Sequence, residues 1–165
     1  MILQPYSILV IEIIFLTNRY HLPFLSGMIA LASYILLMEY QFSKKVPFEF
    51  DKAIDKITEE LKKEGFGIIT KIDMKDTLKK KINADFRNYT ILGACNPRYA
   101  YEALLEEDKL GVFLPCNVVV QEHDSGEVEI SMVNPEELMH HTDDLNLRTF
   151  ATEVKFALLQ ALERV

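Results

Sequence analysis

Hydrophobic and polar positions alternate from Tyr40 onward. Tyr40, Phe42 and Val46 are interleaved with Gln41, Ser43 and Lys45, which predicts a half-buried strand. The period then lengthens. In FDKAIDKITEELKKEG, Phe50, Ile54, Ile57 and Leu61 fall on one helical face, Glu and Lys cover the other, and Gly65 is a stop signal. GFGIITKIDM returns to the strand period, with Ile68, Thr70, Ile72 and Met74 on one side. DMKDTLKKKINADF reads as a short polar helix with Leu78 and Ile82 inward, and YTILGAC as a third strand. NPRYAYEALLEED follows as a helix, with Asn96 suited to the N-cap and Pro97 to the first helical position. GVFLPCNVVVQEH is apolar and β-branched and predicts a buried strand, with Pro115 marking a bulge or break. HDSGE then predicts a hairpin turn and EVEISMV its partner strand. NPEELMHH reads as a short helix. LNLRTFATEVKFALLQALERV reads as a long one, with Leu147, Phe150, Val154, Leu158 and Leu162 at core spacing.

This order of strands and helices, with a hairpin near its end, predicts an α+β fold: one domain over residues 39–165. A largely antiparallel sheet carries helices packed mainly on one face.

The pattern before residue 39 is different. From Met1 to Met38 the only formally charged side chains are Glu12 and Arg19. Ile8–Leu16 is a short apolar run interrupted by Glu12, whereas Leu22–Met38 is uncharged and near the lower limit of about 17–25 residues for a membrane-spanning helix. Three readings stay open. The segment is a membrane anchor, a secretory signal (against which stands the missing basic n-region), or an upstream stretch before a true start at Met38. Arg19 and His21 before the run and Lys44 and Lys45 after it fix no orientation.

Composition narrows the classes of function. The chain has 165 residues, 49% hydrophobic, too apolar for a disordered protein. Its formal charge of −7 argues against general nucleic-acid binding, which needs a basic surface. Two cysteines are too few for a disulfide scaffold, and their place in apolar runs fits a reducing, cytoplasmic compartment, membrane-tethered if residues 22–38 are an anchor.

Both cysteines are candidates for chemistry. Cys95 is predicted where a strand gives way to a helix, a place whose N–H groups and dipole lower a thiol pKa and attract anions. Cys116 lies in a following strand that can pair beside the first. Two such thiols could form a reversible disulfide or hold a soft metal. The plainer reading is that both are small buried hydrophobes. Asp73 is a carboxylate at the mouth of such a site, or an N-cap. Lys71, Lys75, Lys79, Lys80 and Lys81 form a basic patch that reads as a solvated helix face. His123, His140 and His141 lack a spacing that favours a metal, and Asp143 and Asp144 suit a helix start. No Ser-His-Asp order, zincin motif or dinucleotide fingerprint is present.

GFGIITKIDMKDTLKKKI, YTILGACNPRYAYEAL and GVFLPCNVVV together resemble the signature stretches of the family known as domain of unknown function 302, over about residues 39–165. The resemblance falls on Asp73, Cys95, Asn96, Pro97, Pro115, Cys116 and Asn117. It implies a compact α+β domain similar to the TATA-box-binding-protein architecture, able to form homodimers, with no established activity. It also marks Asn96 and Asn117 as candidate ligand-binding residues beside Cys95 and Cys116. Two functions follow as expectations. One is a domain that binds a small ligand or soft metal, or does thiol redox chemistry, through Cys95 and Cys116. The other is a non-enzymatic dimeric interaction module with structural cysteines. A weaker third is a hydrolase or isomerase using Asp73, for which the sequence supplies no second carboxylate.

Overall fold

A computed structural model describes residues 40–139 and 143–165. Residues Tyr40–Val165 form one unit. Its elements are β1 (Gln41–Val46), α1 (Phe50–Lys63), β2 (Gly67–Asp73), α2 (Met74–Ile82), β3 (Tyr89–Cys95), α3 (Pro97–Glu106), a 3₁₀ segment (Asp108–Phe113), β4 (Cys116–Glu122), β5 (Val128–Val133), α4 (Pro135–Leu138) and α5 (Leu145–Glu163). The strands form one sheet in the order β1-β5-β4-β3-β2. Every neighbouring pair is antiparallel. The α+β expectation is met.

Alternation along the strands divides the sheet into two faces. Val118 and Val120 of β4, Val128, Ile130 and Met132 of β5, and Leu92 and Ala94 of β3 are buried on the inner face. Against them lie Ala53, Ile54, Ile57 and Leu61 of α1 and Ala157, Leu158, Ala161 and Leu162 of α5. Each large side chain buried here contributes about 1.5–3 kcal/mol relative to exposure. The outer face is polar in part: Ser43, Lys45 and Asn117 are exposed.

Polar groups fasten the rim of this core. Lys44, paired with Ile130 and so on the inner-facing set, donates its Nζ to the carbonyls of Leu162 (3.2 Å) and Glu163 (2.8 Å). Those carbonyls lie in the last turn of α5, where the cation complements the helix C-terminus. The buried Glu60 carboxylate is paired with Lys63 and with Arg164 at 2.8 Å, which tie α1 to the chain end and hold its pKa below the ordinary value. Gly65 (φ 80°) ends α1: its N–H meets the Lys62 carbonyl and that of Phe66 meets Leu61, both at 3.0 Å. The left-handed Asn83 (φ 54°) ends α2 at Ile82, earlier than the sequence pattern suggests.

Two expectations are corrected. The strand expected from Gly111 begins at Cys116, because Gly111–Phe113 belong to the 3₁₀ segment. Pro115 has no N–H to give a ladder, and the Glu107 side chain caps the 3₁₀ segment at Lys109 N (3.0 Å). The expected transmembrane helix and membrane tether are also not supported. Among the described residues no helix is long and apolar enough to cross a membrane. The longest, α5, carries Arg148, Glu153, Lys155 and Glu163. The anchor expectation for residues 22–38, the signal and start-site readings, and the His140–His141 pair all lie outside the described residues.

Gly93 sits where β3 is approached most closely. A Cβ placed there would collide with Thr70 Oγ1 and stand 2.6 Å from Pro115 Cγ. Thr70 and Gly93 are register partners, and Pro115 precedes Asn117, the partner of Gly93 in β4. Gly93→Ala should therefore cost about 1–3 kcal/mol through overpacking against the rigid proline ring. Urea denaturation reads this as a lowered midpoint, and an unchanged midpoint would contradict the close approach.

Candidate functional site

The β3–β4 register places Ala94 opposite Cys116 and Gly93 opposite Asn117. Ala94 and Cys116 are buried on the inner face. Cys95, the last residue of β3, belongs by the pleat to the alternate set with Ile91 and Gly93, and is half-buried. Both cysteines are free.

Beyond this end of the strands lies a cavity of about 70 Å³ between the sheet, α3, the 3₁₀ segment and α5. Its lining includes both cysteines and Asn96. Most of the wall is apolar: Phe66, Ala94, Ala103, Leu110, Leu147 and Phe150. Ala103, Leu110 and Leu147, with Met139 and Phe150 against them, are also a small second core, so packing of α3 onto α5 builds one wall of the cavity, which stays partly open to solvent. Nothing in the described region leaves a buried side-chain polar atom without a partner.

Asn96 acts as a structural clasp. Its Oδ1 accepts from the Arg98 N–H at 3.1 Å, capping α3, and its Nδ2 donates to the Glu64 carbonyl at 3.3 Å, tying the start of α3 to the end of α1. This clasp also bears on Cys95. Pro97 has no N–H, and the Arg98 N–H is already engaged, so the helix start has little left to stabilise a thiolate. Burial pushes the Cys95 thiol up, opposite to the lowering expected from its place before a helix. Burial pushes Cys116 higher, to about 11, and the neighbouring Cys95 adds to the rise.

The other sequence candidates stand elsewhere. Asp73 caps α2, accepting from Asp76 N at 2.9 Å, and pairs with Thr90 near the start of β3, the end remote from the cysteines. Asn117 lies on the outer face, in a shallow concavity of about 430 Å³ that also includes Tyr89, Val119 and Ser131. His123 is at the β4–β5 hairpin, 2.6 Å from Glu129. Among the described residues no group of three or more His, Cys, Asp or Glu is placed to hold a metal. The arrangement thus brings Cys95, Cys116 and Asn96 to one apolar cavity and separates them from Asp73, Asn117 and His123. Ala103 and Leu110 were not singled out in the sequence. Ala103 is a small residue with no periodic signal, and Leu110 sits in the 3₁₀ segment next to the run read as strand.

The raised Cys116 pKa has a defined consequence for stability. The unfolded thiol ionises near about 8.5, whereas the folded one holds its proton to about 11. Between these values the unfolded chain binds fewer protons. Stability from this group is therefore complete below about pH 8.5 and is lost as pH rises toward 11, by roughly 3.4 kcal/mol. Alkaline denaturation series should show a steeper loss in the native chain than in Cys116→Ala. Parallel pH profiles for the two would contradict the assignment.

Comparison with known proteins places these features in a family. The model of the family described as "Domain of unknown function DUF302" matches residues 42–165. The crystal structure of an uncharacterized conserved protein DUF302 from Bacillus stearothermophilus is similar, with 31% identity and a TM-score of 0.71. The alignment covers 76% of this chain and 97% of that one. No curated protein matches the chain. With the family model spanning nearly all of the described unit and a solved relative sharing its fold, the chain belongs to the DUF302 family.

Proposed function

We propose that the domain binds a small, largely apolar ligand in the cavity at the end of β3 and β4, with Cys116 in its wall and Cys95 beside it. The supporting observation is the lining itself: apolar side chains, two thiols held neutral by burial, and an asparagine already engaged in capping. A neutral thiol is a small, polarisable surface that suits an apolar guest. Soft-metal or redox use of the same pair requires thiolates, which burial opposes, so it ranks below the ligand reading. Size limits the guest. An apolar cavity of about 150 Å³ accepts benzene, and 70 Å³ is about half of that, enough for a short alkyl group.

A second reading is a non-enzymatic interaction module that forms homodimers, with the cysteines structural. It is favoured by the large side chains left exposed on α3 and the 3₁₀ segment: Tyr101, Leu104, Leu105, Val112 and Phe113.

The ligand reading is tested with short aliphatic alcohols as probes, followed by methyl NMR. Saturable shifts should appear at Ala94, Ala103, Leu110 and Leu147, and should disappear in Ala100→Leu, which fills the half-buried cavity edge. Shifts spread over the surface, or unaffected by Ala100→Leu, would overturn it.

A further inference from the structure

The basic patch on α2 and the exposed apolar run on α3 are left unused by the cavity, and they lie at opposite ends of β3. α2 contacts the sheet beside β2 and β3 and has no buried residue. Over residues 69–87, six cations (Lys71, Lys75, Lys79, Lys80, Lys81 and Arg87) stand against three aspartates, leaving +3 in a chain of −7. Ile69, Ile72 and Ile82 are exposed among them. α3 begins where β3 ends. Over residues 97–113, four carboxylates (Glu102, Glu106, Glu107 and Asp108) stand against Arg98 and Lys109, leaving −2. Tyr101, Leu105 and Val112 are exposed among these, Val112 at 79%.

Each end therefore presents large apolar side chains within a field of one sign, and the two signs are opposite. The seven residues of β3 separate them by about 20 Å. That separation is too large for the two patches to pair within one domain, and their opposite placement suits contact between two copies. The ion pairs already present, Lys79–Asp85, Lys80–Asp76 and Arg98–Glu102, are exposed and so easily exchanged.

We propose that a second copy of this chain docks head-to-tail, the β2–α2 end of one on the α3–3₁₀ end of the other. This rests on the interaction-module reading and gives it a surface. Two copies lying antiparallel about a two-fold axis make this contact twice, each end of one against the opposite end of the other, which is the homodimer of that reading. Opposite charge steers the encounter and sets the register, and the apolar side chains supply the buried area.

The test is charge reversal with cross-rescue, read by light scattering and sedimentation on the full chain. Lys71→Glu with Lys81→Glu makes both ends acidic. Glu102→Lys with Glu106→Lys makes both ends basic and leaves the Glu107 cap intact. Each double variant alone should associate about tenfold more weakly than the native chain, and an equimolar mixture should recover association. Native association should also weaken as salt rises from about 0.05 to 0.5 M. Circular dichroism establishes that each variant is folded, and the mixture controls for nonspecific damage. An assembly indifferent to both reversals would overturn the head-to-tail contact while leaving an interaction module that uses another face, such as the outer sheet. A chain that stays monomeric at every concentration and salt would overturn the inference together with the interaction-module reading.

Discussion

Burial of the inner face of β4 is the constraint on which the rest of the domain depends. β4 is the central strand, and Val118 and Val120 have no exposed surface. They are covered by α1 and α5, which come from opposite ends of the domain sequence, so this one layer of apolar contact requires both helices to be in place. Replacing a large residue in such a layer by alanine costs about 2–5 kcal/mol, a large share of the stability of an ordinary domain. Register does the rest. With Val118 and Val120 inward, Cys116 must also point inward and Asn117 outward.

The same register explains why the two cysteines are not equivalent. Cys116 is fixed to the inner face by the valines that follow it. Cys95 comes one residue after Ala94, the partner of Cys116, and so falls on the alternate pleat. The cavity forms because α3 leaves β3 at this point and packs on α5 through Ala103, Leu110 and Leu147. Small residues, Ala94 and Ala103, leave the space, and larger ones line it. The chemistry follows from desolvation: burial raises both thiols, and the Arg98 N–H at the start of α3 is engaged by Asn96.

Most of the fold was legible in the sequence because hydrophobic period is a local property. The strand at Tyr40–Val46, the amphipathic helix from Phe50, the HDSGE turn and the core positions of α5 could all be read from spacing. The caps at Asn96 and Asp144 are also local, and both helices start there. The segment before Cys116 was harder. Gly111–Phe113 is as apolar as a strand, and only its contacts with α3 and α5 decide for a 3₁₀ turn. The thiol electrostatics were misjudged for a related reason. A cysteine before a helix is electrostatically favoured only as far as the helix N–H groups remain available, and here Pro97 has none and Asn96 engages that of Arg98. Asp73 reads in the sequence as an N-cap or as a carboxylate beside the thiols, and the first holds: it caps α2, and the antiparallel pairing of β2 with β3 puts it at the far end from the cysteines. Such distances are set by topology and are invisible to spacing along the chain.

The most direct measurement of the central claim is a crystal structure of the domain under xenon pressure, since xenon reports apolar space without requiring the natural ligand. The account predicts a single strong xenon site lined by Ala94, Ala103, Leu110, Leu147 and Cys116, with the surrounding side chains unmoved and both thiols unmodified. No density at this position, with the space instead filled by ordered water or by a rotated Phe150, would contradict it.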